Sequence, residues 1–429
     1  MLNLCLDNSL DSYLSSFSRT NRKITSDISE FRLNQLSFVK NFCISKKVNY
    51  LKAINETSNV RIPLGKPVFN SEMKKAAVDA LCNEHFVGGE SVYKFEEEFA
   101  KYCGVAYAIS TSSGTNALQF ALVAAGLLRG EAVITSPASF VASSNSIIHA
   151  GGIPVFSDIH METYTLNPKL LRMAIDKKTK AIIPVHLFGY PSNMDSINSV
   201  ADEHGLIVVE DACQAHGALY KGRKTGSLGK IGCFSFYPSK NMTVGGDGGM
   251  ITTNNKKIAT TAAKLRDCGR KSKYVHDMIG YTARLNTVNA AIGRVQLRHL
   301  DGWNDKRRKV AQTYHRLLSE IAELTLPLTG EIGKINPVFH CYVIRTKRRD
   351  ELKIWLESNG VSCGIHYALP IHLQPVYKRL FGYKKGIYPN SEELCKTCLS
   401  LPVYPDLSSS DLSFICEKIV DFFEGEADA

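Results

Sequence analysis

Three short stretches combine residue types that could do chemistry. The sharpest is Gly232-Cys-Phe-Ser-Phe-Tyr-Pro-Ser-Lys240-Asn241, where a lysine follows an aromatic run and precedes the glycine-rich segment Gly245-Gly-Asp-Gly-Gly249, which reads as flexible. A lysine amine held out of water at the end of a strand is a nucleophile toward an aldehyde. Taken singly, one lysine among the many in this chain is more simply a surface residue. The second stretch, Gly205-Leu-Ile-Val-Val-Glu-Asp211, is an apolar run that ends in two carboxylates and leads into Ala212-Cys-Gln-Ala-His-Gly217. In open parallel sheets ligands bind beyond the carboxyl ends of the strands, so Asp211 stands where a charged ligand atom could meet it. It is equally a turn former there. The third, Ser110-Thr-Ser-Ser-Gly-Thr-Asn116, puts small hydroxyl residues and a glycine before an apolar helical segment. Such a helix start offers free N–H groups and a favourable dipole to a phosphate, and it also serves as an ordinary cap.

Elements of matching pattern surround these stretches. Short apolar strands are predicted at 106–110, 132–135, 155–158, 181–185 and 206–210, with helices between them at 117–125, 143–149, 168–175 and 194–203. Continuous apolar strands separated by helices require a mostly parallel sheet covered on both faces, so the fold class is α/β. An earlier amphipathic helix carries Phe95, Phe99 and Tyr102, with Ser91 as candidate cap and Gly104 as terminator. Beyond Trp303 the alternation loosens, and the stretches 338–345, 352–358 and 412–423 suggest a smaller α+β unit. The division expected is an appendage over 1–60, with a helical stretch near 31–42, a large α/β domain over 61–303 and a small C-terminal domain over 304–429.

Composition narrows the setting. The chain has 429 residues and 44% hydrophobic content, enough for a large core and a second unit. No apolar run approaches the roughly 20 residues that span a bilayer, and the first residues lack the pattern of a secretory signal. The 12 cysteines fall at irregular spacings, as expected of reduced thiols in the cytoplasm. Only Cys395 and Cys398 have metal-like spacing; two further ligands are missing nearby, so no metal is expected. The net charge of +11 is dispersed, with small clusters at 306–309 and 347–349. That reads as a solvated basic surface, or a rim attracting an anionic small molecule, and not as a nucleic-acid footprint.

A phosphate cradle, a strand-end aspartate and a post-strand lysine, in that order on one parallel sheet, are the set a pyridoxal phosphate site needs. On these motifs, from about Pro67 to Pro405, the chain resembles the DegT/DnrJ/StrS family of sugar aminotransferases. The resemblance implies a fold-type-I, pyridoxal-phosphate-dependent transferase. Lys240 would form the Schiff base and shuttle the proton, Asp211 would pair with the pyridinium nitrogen, and Gln214 would lie near the ring hydroxyl. Gly114, Thr115 and Ser235 would hold the phosphate, and Phe140 would stack on the ring; apart from the resemblance, Phe140 reads as a core aromatic beside a strand end. The segment Gly364-Ile-His-Tyr-Ala-Leu-Pro resembles a substrate-side motif, so His366 and Tyr367 are candidate sugar contacts; a packed or surface histidine is the equal alternative. Gly280–Asn286 resembles a segment that crosses a homodimer interface into the partner's site, although Thr282 stands where the family often has Asn. The implied reaction takes an amino group from an amino acid, often glutamate, through the pyridoxamine form of the cofactor to a keto sugar nucleotide. A keto-cyclitol acceptor, or a regulatory protein that binds the cofactor without catalysis, are the alternatives.

Overall fold

The computed structural model describes residues 60–329 and 334–425. The appendage expected over 1–60, with its helical stretch near 31–42, lies outside these residues save for Val60. Seven strands form one sheet: β1 (Tyr107–Thr111), β2 (Ala132–Thr135), β3 (Ile153–Phe156), β4 (Thr179–Ile183), β5 (Ile207–Asp211), β6 (Ile231–Ser235) and β7 (Gly249–Thr253). Their spatial order is β1-β7-β6-β5-β4-β2-β3. Only β7 runs against its neighbours, pairing antiparallel with both β1 and β6. The remaining pairs are parallel, as the near-continuous apolar strands require.

The preceding helices are α1 (Ser71–Asn83) and α2 (Glu90–Cys103). The sheet is covered by α3 (Gly114–Ala124), α4 (Ala142–His149), α5 (Pro168–Ala174), α6 (Met194–His204) and α7 (Lys256–Arg266). The expected boundaries hold to within a few residues. One cap does not. Ser91 lies inside α2, whose cap position is Gly89, and both its N–H and its hydroxyl donate to the Glu84 carboxylate, at 2.7 and 2.6 Å. A carboxylate from outside the helix, favoured there by the dipole, replaces the serine cap. Gly104 does terminate the helix, in the left-handed conformation.

A 32-residue helix, α8 (Thr287–Leu318), runs through the point where the pattern loosens. Its second half packs with β8 (Tyr342–Arg345), α9 (Arg349–Ser358), β9 (Cys398–Leu401) and α12 (Ser409–Glu424), whereas α10 (Pro375–Phe381) and α11 (Pro389–Thr397) pack elsewhere, Tyr377 in a cluster with Phe156 and Leu394 in one with Ile159 and Tyr164. Val310, Tyr314 and Leu318 share one buried cluster with Tyr342, Leu352, Leu399 and Ile415. Ile62 joins that cluster and pairs with Val361, so the start of the described chain threads onto its C-terminal part.

The basic cluster at 306–309 is not a uniformly solvated face. Arg307 is buried, donating to the Phe339 and Val403 carbonyls at 3.2 and 2.8 Å, and burial pushes its guanidinium down to about 10. Its place on the inward face of α8 overrides the charge pattern. No helix among the described residues is long and apolar enough to cross a membrane.

Candidate active site

Each chemical stretch ends where the sheet presents its carboxyl edge. In α3, Ser113 accepts the Asn116 N–H at 3.2 Å and donates to the Asn116 Oδ1 at 2.8 Å, capping the helix. The first N–H groups of the helix, from Gly114 and Thr115, are left without intrahelical acceptors. A Cβ on Gly114 would lie 2.7 Å from the Ser235 Cβ and 2.9 Å from the Cys213 Sγ. Glycine is therefore needed for the helix start to approach β6 closely.

Asp211 and Glu210 close β5, a strand whose side chains alternate between faces. The Glu210 carboxylate accepts the N–H groups of Gly226, Leu228 and Gly229, each at 2.7 Å, and meets the His186 Nε2 at 3.0 Å. The His186 Nδ1 accepts the Ser192 N–H, so Nε2 carries the proton and donates to Glu210. Glu210 is thus a buried anchor for the loop that leads into β6. Asp211 accepts the Ser143 hydroxyl at 2.7 Å and the Cys213 N–H at 3.2 Å.

Lys240 sits in a turn closed by its own N–H on the Tyr237 carbonyl at 2.8 Å. The chain on either side of it packs into the core. Phe236, Met242 and Val244 are fully buried. Asn241 donates to the Asn304 Oδ1 and the Val338 carbonyl, both at 2.9 Å, while Asn304 donates to the His216 carbonyl at 2.8 Å. One residue of α8 thereby ties the lysine turn to the exit of β5. Lys240 is half-buried and has no ion-pair partner among the described residues.

These ends surround a cavity of about 370 Å³. Gly114, Thr115, Phe140, Asp211, Gln214, Ser235, Lys240, His366 and Tyr367 all line it. Gln214 is fixed by accepting the Phe188 N–H at 2.8 Å and donating to the Tyr367 hydroxyl at 3.2 Å. The His366 Nδ1 meets the Ser400 hydroxyl at 2.8 Å. Burial, and then the charge of Lys240, hold the His366 imidazole below its usual range; burial pushes the Tyr367 phenol up. Both side chains are uncharged near neutrality. Phe140 is 53% exposed, its ring 6.0 Å from that of Tyr367. It is an aromatic face turned toward the cavity and not into the core.

Sequence reasoning missed ten lining residues, among them Ser143, His340, Tyr237 and Asp247. Ser143 stands three residues after Phe140, but its partner Asp211 is 68 positions further on, and His340 lies in a stretch with no motif of its own. His340 is neutral as well, held well below the usual imidazole range by burial and the Lys240 charge. Thr282 does not line this cavity; its hydroxyl contacts the Cys268 thiol at 3.4 Å.

The arrangement suits a flat anionic compound bearing an aldehyde: an open helix start for the anion, an aromatic face for the ring, a carboxylate at one edge and an unpaired amine at the other. It matches the demands of pyridoxal phosphate, with Gly114 leaving room for the cradle.

Comparison with known proteins agrees with this geometry. The sequence pattern of the DegT/DnrJ/EryC1/StrS aminotransferase family matches residues 67–420. The chain is 41% identical over 352 residues to a pleiotropic regulatory protein of Geobacillus stearothermophilus, covering 82% of this chain and 94% of that one. It is 37% identical over 354 residues to the dTDP-3-amino-3,4,6-trideoxy-alpha-D-glucose transaminase of Streptomyces venezuelae, covering 82% and 93%. The X-ray structure of S. venezuelae DesV in complex with a ketimine intermediate matches with a TM-score of 0.82 at 36% identity, over 85% of this chain and 99% of that one. The expected fold class is borne out, and the chain belongs to the DegT/DnrJ/EryC1/StrS aminotransferase family.

Proposed function

We propose that this protein is a pyridoxal-phosphate-dependent aminotransferase that moves an amino group from an amino acid, glutamate above all, to a keto sugar carried on a nucleotide. The observation that carries the reading is the meeting of Lys240, Asp211, the start of α3 and Phe140 around one cavity. The transaminase name of the S. venezuelae relative supports the amino-sugar product.

In this reading the cofactor, when bound, supplies an electron sink that makes a carbanion accessible at the substrate carbon. The amine of Lys240 would be the nucleophile toward the aldehyde and would be the group that moves a proton at that carbon. Asp211 holds a positive charge on the ring nitrogen. Gly114, Thr115 and Ser235 hold the phosphate at the helix start, where the dipole favours an anion. Phe140 covers one ring face and excludes water from it. Gln214 orients toward the ring hydroxyl, and His366 and Tyr367 present neutral hydrogen-bonding groups to the sugar.

The same proposal includes a cytoplasmic homodimer with shared sites, divided into domains at 61–303 and 304–429 with an extension before them. Tyr274 and Ile279, 82% and 90% exposed, support the dimer, as does a groove in which Val87, Tyr93 and Leu285 adjoin Arg270 and Arg284.

The test is to offer the purified protein glutamate and a panel of nucleotide-linked keto sugars and to read amino-sugar formation by mass. Product with a keto-cyclitol alone would move the acceptor class. The name of the G. stearothermophilus relative favours a second reading, a regulatory protein that binds the cofactor. An absorbance spectrum unchanged by every amino donor would select it.

A further inference from the structure

The turn that aims Phe140 into the cavity also carries two serines that contact one another and the carboxylate of Asp211. Ser139 precedes Phe140, and Ser143 lies in the first turn of α4. The Ser143 hydroxyl donates to the Asp211 Oδ2 at 2.7 Å, across 68 positions of sequence. Because its single hydrogen is used there, the 2.8 Å contact between the two hydroxyls is one in which Ser139 donates and Ser143 accepts. All three side chains are at least nine-tenths buried. Strand β4 lies between β2 and β5 in the sheet, so the hydroxyl chain reaches over the end of β4 to the aspartate.

We propose that Ser143, supported by Ser139, is the positioning residue that fixes how Asp211 meets the ring nitrogen of the cofactor. The inference rests on the function proposed above and deepens it. With Ser143 on Oδ2 and the Cys213 N–H on Oδ1, each carboxylate oxygen has one fixed donor, and turning the group about its Cβ–Cγ bond would break both. Each oxygen keeps a further lone pair. A hydroxyl donating to a carboxylate is a charge-assisted bond, strengthened in a buried setting by the second hydroxyl behind it. The residues that place the ring face and those that orient its charge partner thus belong to one turn, 139–143.

The experiment loads wild type, Ser143→Ala, Ser139→Ala and Ser143→Thr with pyridoxal phosphate labelled with 15N in the ring, and records the nitrogen shift alongside kcat and KM. In Ser143→Ala the shift is expected to move toward the neutral pyridine value. kcat should fall about ten- to a hundredfold, the range for losing a hydrogen bond to a charged group, with KM for the amino donor within about twofold. Ser139→Ala should move both readouts in the same direction by less, and Ser143→Thr, which keeps the hydroxyl, should restore them. A merely structural role would lower the melting temperature and leave the nitrogen shift alone. An unchanged shift in Ser143→Ala, with wild type loaded normally, overturns this inference only. A wild type that forms no borohydride-trapped adduct with the cofactor overturns the proposed function and this inference with it.

Discussion

Glu210 and Asp211 are consecutive residues, yet their carboxylates have separate surroundings: Glu210 is enclosed by three backbone N–H groups and His186, while Asp211 faces the cavity with Ser143 as its side-chain partner. Strand alternation turns one toward the supporting loop and the other toward the chemistry.

Substitution should separate the two roles. Glu210→Ala orphans three amides and an imidazole in a buried place and should cost about 3–5 kcal/mol of stability. Asp211→Ala should cost about 1–2 kcal/mol and reduce turnover by about a hundredfold or more. Denaturant melts and steady-state rates measured on both variants check the pair; a folded, inactive Glu210→Ala would contradict it.

Lys240→Ala should abolish the adduct fixed by borohydride and lower turnover by about a hundred- to ten-thousandfold, the range for losing a positioned acid–base group. Mass spectrometry of the reduced protein locates the adduct. Labelling at another lysine would refute the assignment.

Gly114→Ala brings a methyl group against Ser235 and Cys213 and should destabilise by about 1–3 kcal/mol. It should also weaken cofactor affinity, because the start of α3 must back away from β6. Gly302, inside α8 with open space around it, is the control: alanine there should stabilise by about 1 kcal/mol. Equal effects at the two positions would show that close approach is not the reason for glycine at 114.

Acid should destabilise the fold through buried neutral histidines. Burial, and then the charge of Lys240, push His216 down to about 3, whereas in the unfolded chain an imidazole titrates near about 6.5. Between those values the unfolded state binds a proton that the folded state does not. The stability is therefore fully present above about pH 6.5 and is lost as pH falls toward 3, by up to about 1.4 kcal/mol per pH unit for each such group. His340 acts in the same direction. Urea unfolding at pH 5, 6 and 7 should show a shallower slope in His216→Gln than in wild type; an identical slope would remove His216 from the account.

Much of the site was legible because its parts are local. The lysine after the aromatic strand β6, the aspartate at the end of β5 and the small-residue start of α3 each occupy one strand–loop junction, and in a parallel sheet such junctions share an edge. Less was legible where a residue's partner is distant. The hydroxyl of Ser143 on Asp211, the bridge from Asn304 to the lysine turn and the burial of Arg307 in a basic cluster each join segments tens of residues apart.

By itself the sequence determined the α/β alternation, the glycine at the start of α3 and the order of cradle, aspartate and lysine, since periodicity, capping and strand ends are set by near neighbours. Only the tertiary structure decided that Glu210 anchors the loop into β6, that Ser143 meets Asp211, and that Lys240 sits on a clamped turn among three neutral imidazoles. Those outcomes depend on how strands and α8 cross in space, where a donor finds an acceptor whose distance along the chain carries no local signal.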